Sequence, residues 1–419
     1  MATVFPKSHK DLLHERQPGF SMPSDLYGRQ DVLDNDIEVI FQKHWIMVGV
    51  AADVPEPGDV YAVDIGRASV LLVHDDDGLI RAFRNVCRHR GSRLKDPGKS
   101  TVGMLVCPYH QWTYDLDGAL KHAGHMGADF DRNCRSLMPV HVRDIAGVLF
   151  VCLSDNPPTD IARLEAEMTA RWSPYDLRNT KIAYESDIIE AGNWKLVIEN
   201  NRECYHCAGG HPELLVSLSS ADLGYCTEEM TQQEREHVDA FEALSERQRA
   251  SWDADGIIHH VVDEMADDKP TMFRAQRQVI IGAGESQTMT THVACQKLLG
   301  GGTRRDLGSS HLWTHHSWTH VMSDHAVVTY CIPLTPDTTL VRSKWLVRAD
   351  AVEGVDYDLE QLTEVWKATN AADARFVAIN HCGTQDPGYV PGPYSRYTEV
   401  FLERFASWYS ARLAAHGVR

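Results

Sequence analysis

Cys87-Arg88-His89-Arg90-Gly91-Ser92 and, further on, Cys107-Pro108-Tyr109-His110-Gln111-Trp112 bracket the stretch whose reading decides the fold. It holds a Cys-x-His pair, seventeen intervening residues and a Cys-x-x-His pair. Two thiolates and two imidazoles on hairpin loops could hold zinc in a Cys2His2 site. Zinc patterns, however, put two Cys together and two His together, whereas each loop here offers one of each. The alternation suits a [2Fe-2S] cluster with Cys87 and Cys107 on one iron and His89 and His110 on the other. Neutral imidazoles leave such a cluster less negative, which raises its potential and lets it accept electrons from a flavin or ferredoxin donor.

Outward from these loops the sequence has a short period. VYAVDIGRASVLLVHDDDGLIRAFRNVC from Val60, TVGMLVCPYH from Thr101, WTYDLDGAL from Trp112 and GVLFVCLSD from Gly147 are β-rich runs broken by DDDG, PG and DLDG. That is the punctuation of antiparallel hairpins, so residues 45–155 read as an all-β domain. IAGVLFVCL, Ile145 to Leu153, is the longest apolar stretch and reads as one buried strand, too short to span a bilayer. Residues 1–44 read as an N-terminal helical segment, with a helix over Asp34 to Trp45, that packs on the domain after the break Asn156-Pro157-Pro158-Thr159.

That domain, residues 160–419, opens with a helix at IARLEAEMTARW and continues with helical spacing in NWKLVIENNRECYHC from Asn193. The acidic stretch Thr227 to Asp268 has little apolar periodicity and reads as helical or irregular surface, a mobile insertion. Strands return in QVIIGA from Gln278, QTMTTHVACQKLLG from Gln287, HLWTHHSWTHVMS from His311 and the long run from His325 to Ala349, with a hairpin turn at Pro336 to Thr338. Helices follow over Asp358–His381 and Arg396–His416. The expected class is α+β, an antiparallel sheet covered by helices after an all-β domain.

A chain of 419 residues is long enough for two or three such domains. Its 59 acidic against 41 basic residues give a formal charge of −18, and 43% of residues are hydrophobic. That composition excludes a disordered chain and argues against a nucleic-acid binder, which wants a basic footprint. The first twenty residues show no apolar core of a signal or anchor, so a cytoplasmic location is expected. In a reducing compartment the ten Cys are not expected to serve as staples; with 22 His they ask for a metal explanation.

A second constellation follows: Glu203-Cys204-Tyr205-His206-Cys207-Ala208-Gly209-Gly210-His211. His206 and His211 are five apart, one more than a regular helix favours, and Gly209 and Gly210 are expected to let the backbone bend. Two histidines with one carboxylate would form a facial triad that leaves open positions on iron.

CRHRGSRL, CPYHQWTYDLDGAL and the Glu203–His211 motif together resemble the oxygenase (α) subunits of Rieske non-heme iron oxygenases. The resemblance covers nearly the whole chain and implies a Rieske [2Fe-2S] domain followed by a helix-grip-like catalytic domain. It makes Cys87, His89, Cys107 and His110 the cluster ligands, His206 and His211 iron ligands, and Asp373 the third ligand. Asp386 is the alternative, although it precedes Pro387 in a turn; Ala372 stands where the family usually has Gln. Glu203 would bridge the iron ligand His206 and the cluster ligand His110 of a neighbouring subunit in a homotrimer, fixing an imidazole tautomer on the way. Cys204 and Cys207 are then packing residues, because soft ligands would suppress oxygen chemistry.

ENNRECYHCAGGHPELL and the tail from Pro387 resemble the branch that demethylates glycine betaine and related quaternary amines. It implies electrons from NAD(P)H through a separate flavin and iron-sulfur reductase, since no G-x-G-x-x-G fingerprint is present. A trimethylammonium group is recognised by aromatic faces, and the candidates are Trp313, Trp318, Tyr330, Trp345 and Tyr205. His316, His320 and Arg342 are candidate carboxylate partners. Proline betaine, carnitine or choline are alternative substrates, and aromatic-ring hydroxylation is a further one. A simple electron carrier would need only the β domain.

Overall fold

The computed structural model describes residues 7–127 and 129–418. They fall into a unit of residues 41–159 and a larger unit formed by the chain on either side of it.

In the smaller unit β1 (Ile46–Val50), β2 (Asp59–Ile65), β3 (Ala68–His74), β4 (Ile80–Arg84) and β5 (Gly98–Thr101) precede the short strands β6 (Leu105–Val106), β7 (Thr113–Tyr114) and β8 (Leu120–His122); β9 (His141–Ile145) and β10 (Val148–Cys152) follow. The sheets run β4-β3-β2-β5, β6-β7-β8 and β1-β10-β9. The turn residues do what their chemistry allows. Asp75 Oδ1 accepts from Asp77 N and Leu79 N at 3.0 and 2.8 Å, which closes the β3–β4 hairpin. Gly118 lies at φ +88°, and a Cβ there would come within 2.5 Å of Phe83, so the β7–β8 turn admits only glycine. The apolar run from Ile145 is two strands rather than one: Ala146 and Gly147 have φ of 49° and 97°, the two left-handed residues of a tight hairpin turn. Ile145, the turn and all of β10 are buried, so the hydrophobicity does not break at the corner, while the rest of β9 is exposed or half-buried.

The larger unit begins with α1 (His9–Glu15), α2 (Asp25–Gly28) and α3 (Gln30–Asp36). The helix expected over Asp34 to Trp45 is present as the end of α3, a π-helical turn Ile37–Phe41 and a helical Gln42–Lys43, before β1 begins at Ile46. α4 (Ile161–Trp172), β11 (Thr180–Glu190), α5 (Trp194–Asn201), α6 (Cys207–Gly210) and α7 (Gln232–Ala254) follow. Next come β12 (Val262–Asp263), β13 (Phe273–Gln278), β14 (Ser309–Thr314), β15 (Ser317–Val321), β16 (Ala326–Thr335), β17 (Thr338–Arg348), α8 (Leu359–Thr384) and α9 (Val400–Ala415). One antiparallel sheet runs β11-β17-β16-β15-β14-β13-β12, an α+β unit.

α8 is anchored on this sheet by Asn370, whose Nδ2 donates to Ser343 Oγ at 3.0 Å, and by Leu362, Val365 and Trp366 packed with Val327 and Trp345. α9 holds the N-terminal segment through Arg16–Glu403 at 2.8 Å and His9–Tyr409 at 3.1 Å.

QVIIGA from Gln278, expected as a strand, keeps only Gln278, the last residue of β13, in a strand and is irregular from Val279 onward. The acidic stretch takes the helical of its two expected forms: α7 has a Thr231–Glu234 capping box, and Val238, Phe241, Ser245 and Trp252 are its buried residues. So few buried positions on a polar helix leave weak periodicity. Gln287–Gly300, expected as a strand, is a loop. Asp324 accepts from Ala294 N at 2.8 Å and from Cys295 N at 3.3 Å, so a carboxylate takes the N–H groups that a neighbouring strand would have used.

Candidate functional site

The two loops of the β unit have the same backbone design. Cys87 N donates to Ser92 O and Gly91 N to Cys87 O; Cys107 N donates to Trp112 O and Gln111 N to Cys107 O. Gly91 and Gln111, each four residues after its Cys, share left-handed φ of 78° and 59°. Matched turns thus present one Cys and one His apiece. Cys87 and Cys107 are buried, and the His89 and His110 rings lie 4.6 Å apart at 73°. Trp112 stacks on His89 at 4.8 Å, shielding it from water. His89 Nδ1 is buried without a hydrogen-bond partner. Tyr114 Oη lies 3.3 Å from Cys87 Sγ and accepts from Arg88 N at 3.0 Å. Burial raises the Cys107 thiol pKa, but backbone N–H groups of Tyr109 and His110 outweigh it and bring it below its usual value. Two buried sulfurs facing two rings, one of them with an orphan nitrogen, fit a cluster bound by thiolates on one iron and imidazoles on the other.

In the larger unit Asn193 caps α5, accepting from Lys195 N at 3.0 Å, and the helix ends at Arg202, leaving Glu203 to His211 outside regular helix except for the single turn α6. His206 Nε2 and His211 Nε2 are 3.0 Å apart, and Asp373 Oδ1 on α8 lies 2.9 Å from the latter and 3.4 Å from the former. Ligands at about 2.1 Å from one ion and at right angles would stand about 3.0 Å from each other, so the three atoms are close enough together to hold one ion, as a facial triad would. Glu203 Oε1 accepts from His206 Nδ1 at 2.5 Å, which orients the ring so that Nε2 faces Asp373. Burial depresses the His206 pKa, but the bonds to Asp373 and Glu203 dominate and raise it to about 9. Burial likewise raises Asp373, and its two histidine partners bring it below the usual carboxylate value.

Convergence is not achieved by the glycines bending freely. Neither Gly209 nor Gly210 has positive φ; His211 leaves the helix at φ −132° and ψ 64°, and Gly210 is required because a Cβ would come within 2.6 Å of Phe376. Asp386 is exposed and its Oδ1 caps a turn, accepting from Gly388 N at 2.7 Å. Cys204 and Cys207 are buried and joined by a disulfide, which corrects the expectation that no cysteine here serves as a staple. Cys207 lies close to both imidazoles, but its sulfur is bonded to Cys204 and lacks the thiolate needed for ligation.

The triad opens on a small cleft of about 50 Å³. Its other wall is the sheet: His311 and Trp313 on β14, His320 on β15, Gln278 on β13, with Trp366 and Thr369 from α8. Of the aromatics expected around a substrate, Trp313 is here. Tyr330 pairs across strands with Ser317 and Arg342, a set on the opposite face from His311, Trp313 and His320. Trp345 is on the cavity's face but fully buried beneath α8, against Tyr184. Trp318 is buried opposite Trp313 and outside the lining. His316 is buried in the β14–β15 turn, and Arg342 is engaged by Asp187 and Glu185. Tyr205 is 71% exposed and belongs to a separate cavity with Tyr225 and Met230.

His311, Trp366 and Gln278 escaped the sequence reading. Splitting HLWTHHSWTH at its central histidines would have placed His311 opposite His320 and on one face with Trp313. Trp366 and Thr369, seven and four residues before Asp373, share its helix face.

A profile of the ring hydroxylating alpha subunit (catalytic domain) matches residues 177–415, and a profile of the Rieske [2Fe-2S] domain matches residues 44–139. The glycine betaine monooxygenase oxygenase subunit of Pseudomonas aeruginosa is 42% identical over 415 residues, 97% of this chain and 92% of that protein. That of Chromohalobacter salexigens is 42% identical over 407 residues, 96% and 87% of the two chains. Among solved structures, a quaternary ammonium Rieske monooxygenase has the same fold, with a TM-score of 0.69 at 20% identity over 99% of this chain and 100% of that one. In the described residues, no helix is long and apolar enough to cross a membrane. With a Rieske [2Fe-2S] domain ahead of a catalytic domain of the kind that binds mononuclear iron, the chain belongs to the Rieske non-heme iron oxygenases as an alpha, or oxygenase, subunit.

Proposed function

We propose that this chain is the oxygenase component of an oxidative N-demethylase acting on a quaternary amine, with glycine betaine as the substrate and dimethylglycine and formaldehyde as products. The observation that carries the reading is the 42% identity to glycine betaine monooxygenase oxygenase subunits along nearly the whole chain, coupled to a triad that opens on a small cleft. In this reading Cys87, His89, Cys107 and His110 hold the cluster, and His206, His211 and Asp373 hold the iron. The cluster supplies electrons one at a time and the iron supplies O2 activation.

The chain's own residues do the rest. Glu203 keeps the proton on His206 Nδ1, so that Nε2 stays available. Leu214, Leu218 and Leu223 give the cavity an apolar side. In net terms O2, two electrons and two protons convert one N–CH3 into N–CH2OH and one water. The hydroxymethyl group then loses its O–H proton, and the C–N bond breaks to release formaldehyde and the tertiary amine. The electrons come from NAD(P)H through a separate flavin and iron-sulfur reductase in the cytoplasm. Glu203 lies in a surface cleft with His206 and Phe376, where His110 of a neighbouring copy in a homotrimer would meet it.

The test is formaldehyde release by the purified chain with a reductase and NADH, offered glycine betaine, proline betaine, carnitine, choline and an aromatic acid in parallel. Glycine betaine should be turned over best, with one formaldehyde per dimethylglycine. Consumption of the aromatic acid with no formaldehyde from any amine would overturn the assignment.

A further inference from the structure

Two polar groups at and behind the sheet wall of the cavity, Arg202 at the C-terminal end of α5 and His311 on β14, each keep a buried nitrogen without a partner. Arg202 is fully buried. Its guanidinium donates to the carbonyls of Thr314 and Ser317 and to Asn201 Oδ1, while Nε has no partner. Among the described residues no carboxylate pairs with it. A buried cation without a counter-ion is costly. Burial lowers its pKa to about 9, which leaves it charged at neutrality.

The second group is His311, 2% exposed, in the cavity lining, with Nδ1 buried and unpartnered. Its ring meets only other rings, His320 at 4.4 Å and Trp313 at 5.0 Å. Burial, then the charges of His320, Arg202 and Arg274, keep it neutral by pushing its pKa well below the usual value. The last two of those terms also report a positive field at His311 from two buried arginines. Arg202 lies 4.9 Å from the centre of the Trp313 ring, so Trp313 separates it from the cavity and that ring already has a cation against it. This disfavours Trp313 as a face for a substrate ammonium and favours an anion beside it.

We propose that His311, in the field of Arg202, is a specificity-determining residue that receives the carboxylate of the substrate. The site therefore selects quaternary amines that carry a carboxylate over the corresponding alcohols. Holding the anionic end on the sheet wall directs the opposite, N-methyl end of a short zwitterion toward the helical wall that carries His206, His211 and Asp373. This rests on the demethylase reading above and adds what orients the substrate.

Arg202→Met removes a guanidinium that also ties down the carbonyls of Thr314 and Ser317, so a folding defect would confound it and it is not the test. The informative pair is His311→Leu, which keeps the bulk and removes the donor, and His311→Gln, which keeps a donor. Dissociation constants of glycine betaine and choline are measured by calorimetry on the iron-loaded holoprotein, with KM and kcat for formaldehyde release alongside. The wild type should bind glycine betaine at least tenfold more tightly than choline. His311→Leu should weaken glycine betaine at least tenfold while leaving choline within about twofold, with the loss in KM rather than kcat, and His311→Gln should recover most of it. Equal loss of both ligands, or no loss of either, would overturn the proposal while the wild type still demethylates. A wild type that releases no formaldehyde from any amine would remove the demethylase reading first, and this inference with it.

Discussion

At the scale of single residues, the distinction that matters most is between Asp373 and Asp386. The first lies 2.9 Å from His211 Nε2 in a buried site; the second is exposed and serves its own turn. Asp373→Ala should therefore remove most of the mononuclear iron, leaving the visible absorbance of the cluster unchanged, whereas Asp386→Ala should leave both intact. Iron and sulfide assays on the two variants check this; iron loss from Asp386→Ala with retention in Asp373→Ala would reverse the assignment. The cluster residues were legible because Cys87, His89, Cys107 and His110 sit in two short local patterns. Asp373 was not legible from spacing, being 162 residues from His211; the resemblance placed it.

At the scale of elements, α5 shows how a helix buried on every side is made tolerable. Lys195 pairs with Asp36, and Glu199 accepts from Tyr27 Oη at 3.0 Å. Burial raises Glu199 from 4.5 to about 8, against the lowering effects of Tyr27 and Lys195. The folded state then holds a proton that the unfolded state releases between those values. The stability this contributes is fully present below 4.5 and is lost as pH rises through about 8. Over that window the change is on the order of a few kcal/mol. Glu199→Gln should match the wild type at low pH and become the more stable protein near pH 8, as denaturant midpoints across pH would record. Parallel profiles for the two proteins would contradict this.

The element scale is also where the sequence reading erred. Ile145–Leu153 hid a hairpin corner because Ala146 adopts a left-handed φ without a polar residue to mark it. Gln287–Gly300 had strand-like composition, yet Asp324, far along the chain, took its N–H groups. The substrate wall depended on a turn at His315 and His316 that reverses the strand, so that His311 faces the cavity beside His320. None of these is a property of local composition.

At the scale of the whole molecule, the excess of His and Cys resolves into distinct uses. Two Cys and two His lie on matched loops of the β unit, two more His meet Asp373, and Cys204 and Cys207 bond to each other. Others, such as Cys331 and His316, are buried in the sheet and its turns. The charge of −18 argues against a basic nucleic-acid footprint, but it could not have named a substrate. The architecture, an all-β unit and an α+β unit, was legible from turn punctuation and helix periods. The chemistry depends on both units carrying their metals.

Iron and acid-labile sulfide analysis of the purified chain tests that dependence most directly. The account predicts about three iron atoms and about two sulfides per chain, the sum of a [2Fe-2S] cluster and one mononuclear iron. Zinc in place of iron, with no sulfide, would contradict it.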